Sequence, residues 1–337
     1  MGYTLSKEQF ETLVNRLSEQ YQVFAPVKFV GGNTFTDVDV IRYDQVKNPE
    51  EIVLDQKSDY SFKEVLLPLS ETLFYYTEEQ TKEADIPRGE AVVFLRSCEM
   101  HAVKVLDDIY LNNKFEDYYY KRLRDKIKFI VIACPESFDS CFCVDMGTNK
   151  PEGQDMIIEQ QGDQFLVVNE NPQWEAYFEG YAKVDQAPSY AKENKVKVHI
   201  PENLNPNIAK SSIWEEYDTR CIACGRCNFV CPTCTCFTMQ DILYSDNGKA
   251  GERRRVQASC MVDGFTDVAG GGSYRKKFGE RMRFKMMHKV YDFRKRFGYN
   301  MCVGCGRCDD VCPEYISFSA NINKLEEGMK EVGEEHA

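Results

Sequence analysis

The sequence predicts an α+β protein in two parts. A mixed α/β domain spans residues 1–215; a smaller, mainly helical, cysteine-rich domain spans 216–320; a polar tail follows over 321–337. Three observations predict this. A strand, a helix and a second strand follow one another between residues 91 and 133, the signature of a parallel βαβ unit. Cysteine density changes abruptly near residue 215, with four cysteines before it and eleven after. Late in the chain, apolar residues recur at helical spacing between two clusters of cysteine.

The elements follow in order. Ser6-x-x-Gln9 forms a capping box, and Phe10, Leu13, Val14, Leu17 and Tyr21 share one face of the helix it starts. Gly31-Gly32-Asn33 separates two strand-like runs, VFAPVKFV and TFTDVDVIRY, as in a hairpin. AVVFL at 91–95 reads as a buried strand. The helix at about 99–111 turns Val103, Leu106, Ile109 and Tyr110 inward, and IKFIVIA at 127–133 is the second buried strand. A hairpin over 156–168 turns at Gly162-Asp163, and 174–181 reads as helix. IPENLNPNIAKSS, with two prolines, leads as a linker into a short helix. Phe278, Met282, Met286, Val290, Phe293 and Phe297 line one face of a later helix, a stripe read as core. The tail, LEEGMKEVGEEHA, is expected to fray.

Composition narrows the function. With 42 Lys and Arg against 54 Asp and Glu, the net charge of −12 excludes a global attraction to polyanions. The N-terminal MGYTLSKEQF lacks the apolar core of a signal peptide, and no apolar run approaches the ~20 residues of a bilayer span. A cytoplasmic chain is expected. In that reducing setting, closely spaced cysteines mean metal or redox chemistry rather than structural disulfides.

Two runs carry that chemistry. Cys221-x-x-Cys224-x-x-Cys227-x-x-x-Cys231-Pro232 and Cys302-x-x-Cys305-x-x-Cys308-x-x-x-Cys312-Pro313 each match the bacterial two-cluster ferredoxin pattern, proline included. Three thiolates at this spacing wrap one face of an iron–sulfur cube. Gly225, Gly304 and Gly306 let the backbone come close, and the fourth cysteine reaches the other cluster. The pattern therefore assigns Cys221, Cys224, Cys227 and Cys312 to a first 4Fe-4S cluster, and Cys302, Cys305, Cys308 and Cys231 to a second. Zinc is the competing reading, but its ligands usually come as separated C-x-x-C pairs. A radical S-adenosylmethionine triad at Cys227, Cys231 and Cys234 and a redox motif at Cys231-Pro-Thr-Cys234 would take sulfurs the ferredoxin pattern already uses. The long helical spacer between the runs predicts a helical rather than a compact β-hairpin ferredoxin domain.

The remaining cysteines divide into two sets. Cys98 and Cys134 each follow a strand of the βαβ unit, and Cys141 and Cys143 lie on the next loop. Ligands collect beyond the carboxyl ends of such strands, so these four could hold a third 4Fe-4S cluster; inert thiols are the alternative. His101 reads as a surface or packed residue rather than a ligand. Cys234, Cys236 and Cys260 read as small buried apolar residues. Residues 250–297 carry 13 Lys and Arg against 5 Asp and Glu, a basic face suited to stabilising anionic clusters or docking an acidic partner. No helix-turn-helix or zinc-finger pattern accompanies it, so nucleic acid is not expected, although an iron–sulfur sensor of nucleic acid is the alternative from another class. No Walker motif and no G-x-G-x-x-G after a strand is present, and no flavin, nicotinamide or sirohaem site is expected.

RSCEMHAVKVLD, ACPESFDSCFCVDMGTN, CIACGRCNFVCPTCTCF, SCMVDGFTDVAGG and CVGCGRCDDVCPEYIS resemble, in order, segments of the anaerobic sulfite reductase family, in its electron-transferring component. The same architecture occurs in the β subunit of cytosolic nickel–iron sulfhydrogenases. The resemblance implies a non-catalytic electron-transfer subunit. It would relay electrons from an NADH-oxidising flavin subunit to a sirohaem subunit that reduces sulfite to sulfide; in the hydrogenase relative a nickel–iron subunit stands in the sirohaem subunit's place.

Overall fold

A computed structural model of the chain describes residues 2–33, 37–86 and 88–334. These form two compact units. The first takes residues up to 67, then 85–138 and 147–193; the second takes 68–84, 139–146 and 194 onward. The structural division thus assigns 194–215 and two earlier excursions to the second unit, whereas the change in cysteine density falls near 215.

The first unit is built on an eight-stranded sheet. Its order is Ala182–Val184, Gly2–Ser6, Gln164–Asn169, Met156–Gln161, Ile127–Ile132, Ala91–Arg96, Gln22–Phe29, Val40–Gln45. The four strands from Met156–Gln161 to Gln22–Phe29 run parallel, and the rest pair antiparallel. Ala91–Arg96 is buried at every position, as an inner parallel strand covered on both faces must be. The helix Lys7–Ser18 starts at the expected capping box: Gln9 N donates to Ser6 Oγ at 3.2 Å, and Ser6 N donates to Gln9 Oε1 at 2.8 Å. Phe10, Leu13, Val14 and Leu17 enter the core with Trp174 and Phe178. The Gly162 turn and the βαβ unit stand as read, and Val103, Leu106 and Tyr110 are buried on helix Ser97–Tyr110. The 174–181 segment is instead a 3₁₀ stretch, Pro172–Phe178, entered through a proline that suits a first helical turn. Residues 34–36 of the predicted hairpin lie outside the described residues.

The second unit departs from the mainly helical domain expected. The spacer after the first cysteine run opens as a β-hairpin, Phe237–Leu243 with Gly251–Gln257. It is extended by Ser70–Tyr76 and Thr81–Glu83 into a four-stranded antiparallel sheet. The arginine triplet conceals the strand in the sequence because two of its charges are neutralised across the ladder and the third within the strand. Arg253 pairs with Asp241 at 2.7 Å, Arg255 with the buried Glu71 at 2.8 Å, and Arg254 with Glu252. This part of the basic segment is therefore not an open cationic face. The predicted later helix forms as Phe278–Met287 and Phe293–Phe297, joined by a π-helical turn, His288–Asp292. Its Met282, Met286 and Val290 pack against Phe318, Ile322, Leu325, Met329 and Val332. Those partners lie on helix Phe318–Glu334, so 321–334 is packed structure rather than a frayed tail; 335–337 lie outside the described residues.

Candidate iron–sulfur centres

The two cysteine runs fold as near repeats. Each bends through a left-handed residue between its first two cysteines, Ala223 at φ 56° and Gly304 at φ 65°. Each then opens a one-turn helix, Arg226–Phe229 or Arg307–Asp310, from a left-handed glycine. The two short helices pack together, which sets the runs side by side. Asp309 ties the second run to the C-terminal helix, accepting from Phe318 N at 2.6 Å and from Ser317 Oγ at 2.8 Å.

The glycines of the second run have a further cause. A Cβ on Gly304 would stand 2.6 Å from the Phe142 backbone, and one on Gly306 would stand 2.3 Å from the Ser140 carbonyl oxygen. The loop carrying Cys141 and Cys143 thus lies directly on the second run, with Phe142 N donating to Gly304 O at 2.8 Å. Gly306→Ala adds a left-handed-backbone penalty of about 1–2 kcal/mol and a clash of about 1–3 kcal/mol. We expect it to lower the denaturant midpoint sharply, whereas Ala223→Gly leaves the midpoint nearly unchanged. Equal midpoints for the two variants, followed by visible absorbance of the iron-loaded protein, would remove this account.

One pocket collects Cys221, Cys224, Cys227 and Cys312, with Cys308 of the other run also on its wall, beside Met261, Met282 and Phe318 and the charged Arg226, Lys285 and Glu314. The quartet's fourth sulfur comes from the other run, as the ferredoxin pattern requires. Ala223 N donates to Cys221 Sγ at 3.4 Å, and Ile316 N to Cys312 Sγ at 3.3 Å. Such backbone donors suit cluster-ligating thiolates. Cys302 and Cys308 lie within electrostatic reach of Cys305 and Cys231, the second predicted quartet. Burial pushes the Cys302 thiol up to about 12 and raises Cys221 and Cys308, so metal loading must displace protons from them. Both quartets fit 4Fe-4S clusters in donor type, and the first is gathered on one pocket. Among the described residues, no three His, Cys, Asp or Glu side chains are drawn together around a single ion.

Two lysines that the sequence reading passed over belong to this site. Lys285 and Lys289 are 4% and 3% exposed. Burial opposes the charge on Lys285, but the sulfurs of Cys227, Cys308 and Cys234, once ionised, outweigh it and hold the ammonium well above its ordinary range. Burial likewise opposes the charge on Lys289, which Cys231, Cys234 and Cys302 sustain. The signal was present, since 282, 285 and 289 share the i, i+3, i+7 spacing of the apolar stripe.

The four N-terminal cysteines fall in both units. Cys98 sits in the first turn of helix Ser97–Tyr110, and Cys134 follows Ile127–Ile132, at the carboxyl ends of two adjacent parallel strands. The buried Arg96 reaches Cys134 Sγ at 3.7 Å. In the second unit, Cys141 Sγ lies 3.5 Å from Cys305 O, and Cys143 Sγ lies 3.8 Å from Asn194 Oδ1. His101 contacts Lys150 O at 2.7 Å within the first unit, as a packed residue would.

The two cysteine runs, set side by side with Cys312 of the second in the pocket of the first, suit iron–sulfur electron transfer. The comparisons agree: residues 220–316 match the family described as a 4Fe-4S dicluster domain. Over nearly its whole length the chain is similar to sulfhydrogenase 2 subunit beta of Pyrococcus furiosus, 29% identical over 344 residues that cover 96% of this chain and 98% of that relative. No solved structure matches the chain.

Proposed function

We propose that the chain is the iron–sulfur electron-transfer subunit of a multisubunit, hydrogenase-type oxidoreductase. The observation that carries this reading is the pocket that draws cysteines of both runs together, in a chain similar along its length to a sulfhydrogenase β subunit. When bound, such clusters supply one-electron carriers. The chain's own residues do the rest: the cysteines fix the carriers, and Lys285 and Lys289 place positive charge beside them, which favours the reduced form. Cys224 is exposed, and so are Ile222 on the same pocket and Tyr315, which stands between the pocket residues Glu314 and Ile316 in the chain, at 56% and 88%. That apolar rim is suited to close approach of a redox partner.

A flavin subunit that oxidises NADH is the proposed electron source, and a nickel–iron subunit the proposed acceptor. The segments that resemble the electron-transferring component of anaerobic sulfite reductase support a second reading, in which the electrons go to a sirohaem subunit. In both, the chain performs no bond chemistry. Among the described residues no helix is long and apolar enough to cross a membrane, and a cytoplasmic complex is proposed. Affinity capture of the tagged chain from its own cells decides between the readings. Nickel in the captured complex supports the first, sirohaem supports the second, and neither would reject both.

The third cluster at Cys98, Cys134, Cys141 and Cys143 is proposed on donor type and on the Arg96 contact. Cys141→Ala is expected to lower iron by about four per chain. Unchanged iron would remove this ligand set and leave the two runs, worth about eight irons, intact.

A further inference from the structure

Cys234, Cys236 and Cys260 are not scattered core thiols. They line one cavity of about 270 Å³, together with Lys285, His288 and Lys289. That is roughly nine times the ~30 Å³ a water occupies in the liquid. The cavity is open to solvent on one side. Simple apolar packing of three small side chains accounts neither for the space nor for the charges around it.

We propose that Cys234, Cys236 and Cys260 ligate a further iron–sulfur cluster in this cavity. Cys234 and Cys236 stand two apart just before the strand Phe237–Leu243. Cys260 follows the partner strand Gly251–Gln257, and Ala258 N donates to Cys236 O at 2.9 Å, holding the two segments together. The Cys236 and Cys260 side chains are in hydrogen-bonding contact, as are those of Cys234 and Cys231.

The surroundings suit an anionic sulfur-ligated group. Asn228, wholly buried, donates from Nδ2 to Cys260 Sγ at 3.1 Å, as an amide does to a ligating sulfur. Two buried ammonium groups face the same cavity. The π-helical turn brings the second of them there, and the Lys289 carbonyl it frees accepts from Met301 N at 2.9 Å and Cys302 N at 3.2 Å. Turns of this kind are rare and concentrate at functional sites. Three cysteines leave one coordination position of a cubane open, and His288 offers an imidazole on the wall. A Cys236–Cys260 disulfide would leave Cys234, the lysines and the space unexplained. The contact of Cys234 with Cys231 makes this site a neighbour of the second ferredoxin quartet, extending the electron path.

The test is iron and acid-labile sulfide per full-length chain after anaerobic reconstitution, with low-temperature electron paramagnetic resonance of the reduced protein. Cys236→Ser and Cys260→Ser are each expected to lose about four irons and the same spectral component. Wild-type iron in both variants overturns the proposal. Cys224→Ser judges the ferredoxin quartets separately, so failure at one site is not failure at the other. Should both variants fail to fold, the wild type answers. Cys236 is expected to resist iodoacetamide while iron is bound and to react after chelation. Alkylation of Cys236 in fully iron-loaded protein overturns the assignment.

Discussion

Cys312→Ala is expected to strip iron from the cluster held by Cys221, Cys224 and Cys227, although Cys312 lies about 85 residues further along the chain in the other run. The reason is spatial. Cys312 shares a pocket with the first three cysteines of run one, and its sulfur is held there by the Ile316 amide. A cubane deprived of one of four thiolates loses an iron or dissociates, so the expected loss is about one to four irons per chain. The reciprocal variant, Cys231→Ala, should strike the cluster held by Cys302, Cys305 and Cys308. Removing ligands also undermines folding, because Cys221, Cys227, Cys302, Cys308 and Cys312 pack against the second unit's core, so both variants should unfold at lower denaturant. The check is which cluster's spectrum disappears in each variant, read against Cys224→Ser and Cys305→Ser as references. If Cys312→Ala removes the same spectrum as Cys305→Ser, the exchange of fourth ligands is wrong.

The 4Fe-4S dicluster character of residues 220–316 was legible because the cysteine spacing is a mechanical requirement of wrapping a cube and survives any fold around it. The βαβ unit was legible for a similar reason, since Ala91–Arg96 and Ile127–Ile132 are apolar throughout most of their length, as inner parallel strands must be. The four-stranded sheet was hidden. Its strand Gly251–Gln257 carries three arginines; Arg254 pairs with Glu252 of the same strand, but the partners of Arg253 and Arg255, Asp241 and Glu71, come from facing or distant positions. Charge that is neutralised only in three dimensions looks like a solvated surface in one. Lys285 and Lys289 misled in the same way: they read as part of a basic face, yet they lie on the buried side of their helix. Cys234, Cys236 and Cys260 conform to no standard ligand spacing, and only the fold brings them to one cavity.

Lys285→Met is expected to lower the reduction potentials of both ferredoxin clusters, and this follows from its position more than from its charge alone. Its ammonium lies within electrostatic reach of Cys227 from one quartet and Cys308 from the other. Reduction adds negative charge at each cluster, so a nearby cation stabilises the reduced form. At an effective dielectric constant near 20, a unit charge about 6–10 Å away contributes roughly 1.5–3 kcal/mol. For a one-electron couple, at about 59 mV per 1.4 kcal/mol, that is a fall of about 60–120 mV. Lys295→Met, which removes an exposed charge from the same helical stretch, should change either potential far less, because solvent and salt screen it. Stability in the iron-free protein should move the other way. Without metal the Cys308 and Cys234 thiols, both pushed well up, stay protonated and do not offset the burial of the ammonium, and methionine of similar length relieves that cost. Lower potentials together with a more stable iron-free protein form a pair of opposite signs that simple loss of packing does not produce. Redox titration of both clusters and denaturation of the chelated protein measure the two halves. Potentials within the scatter of the Lys295→Met control would show that Lys285 does not tune the clusters.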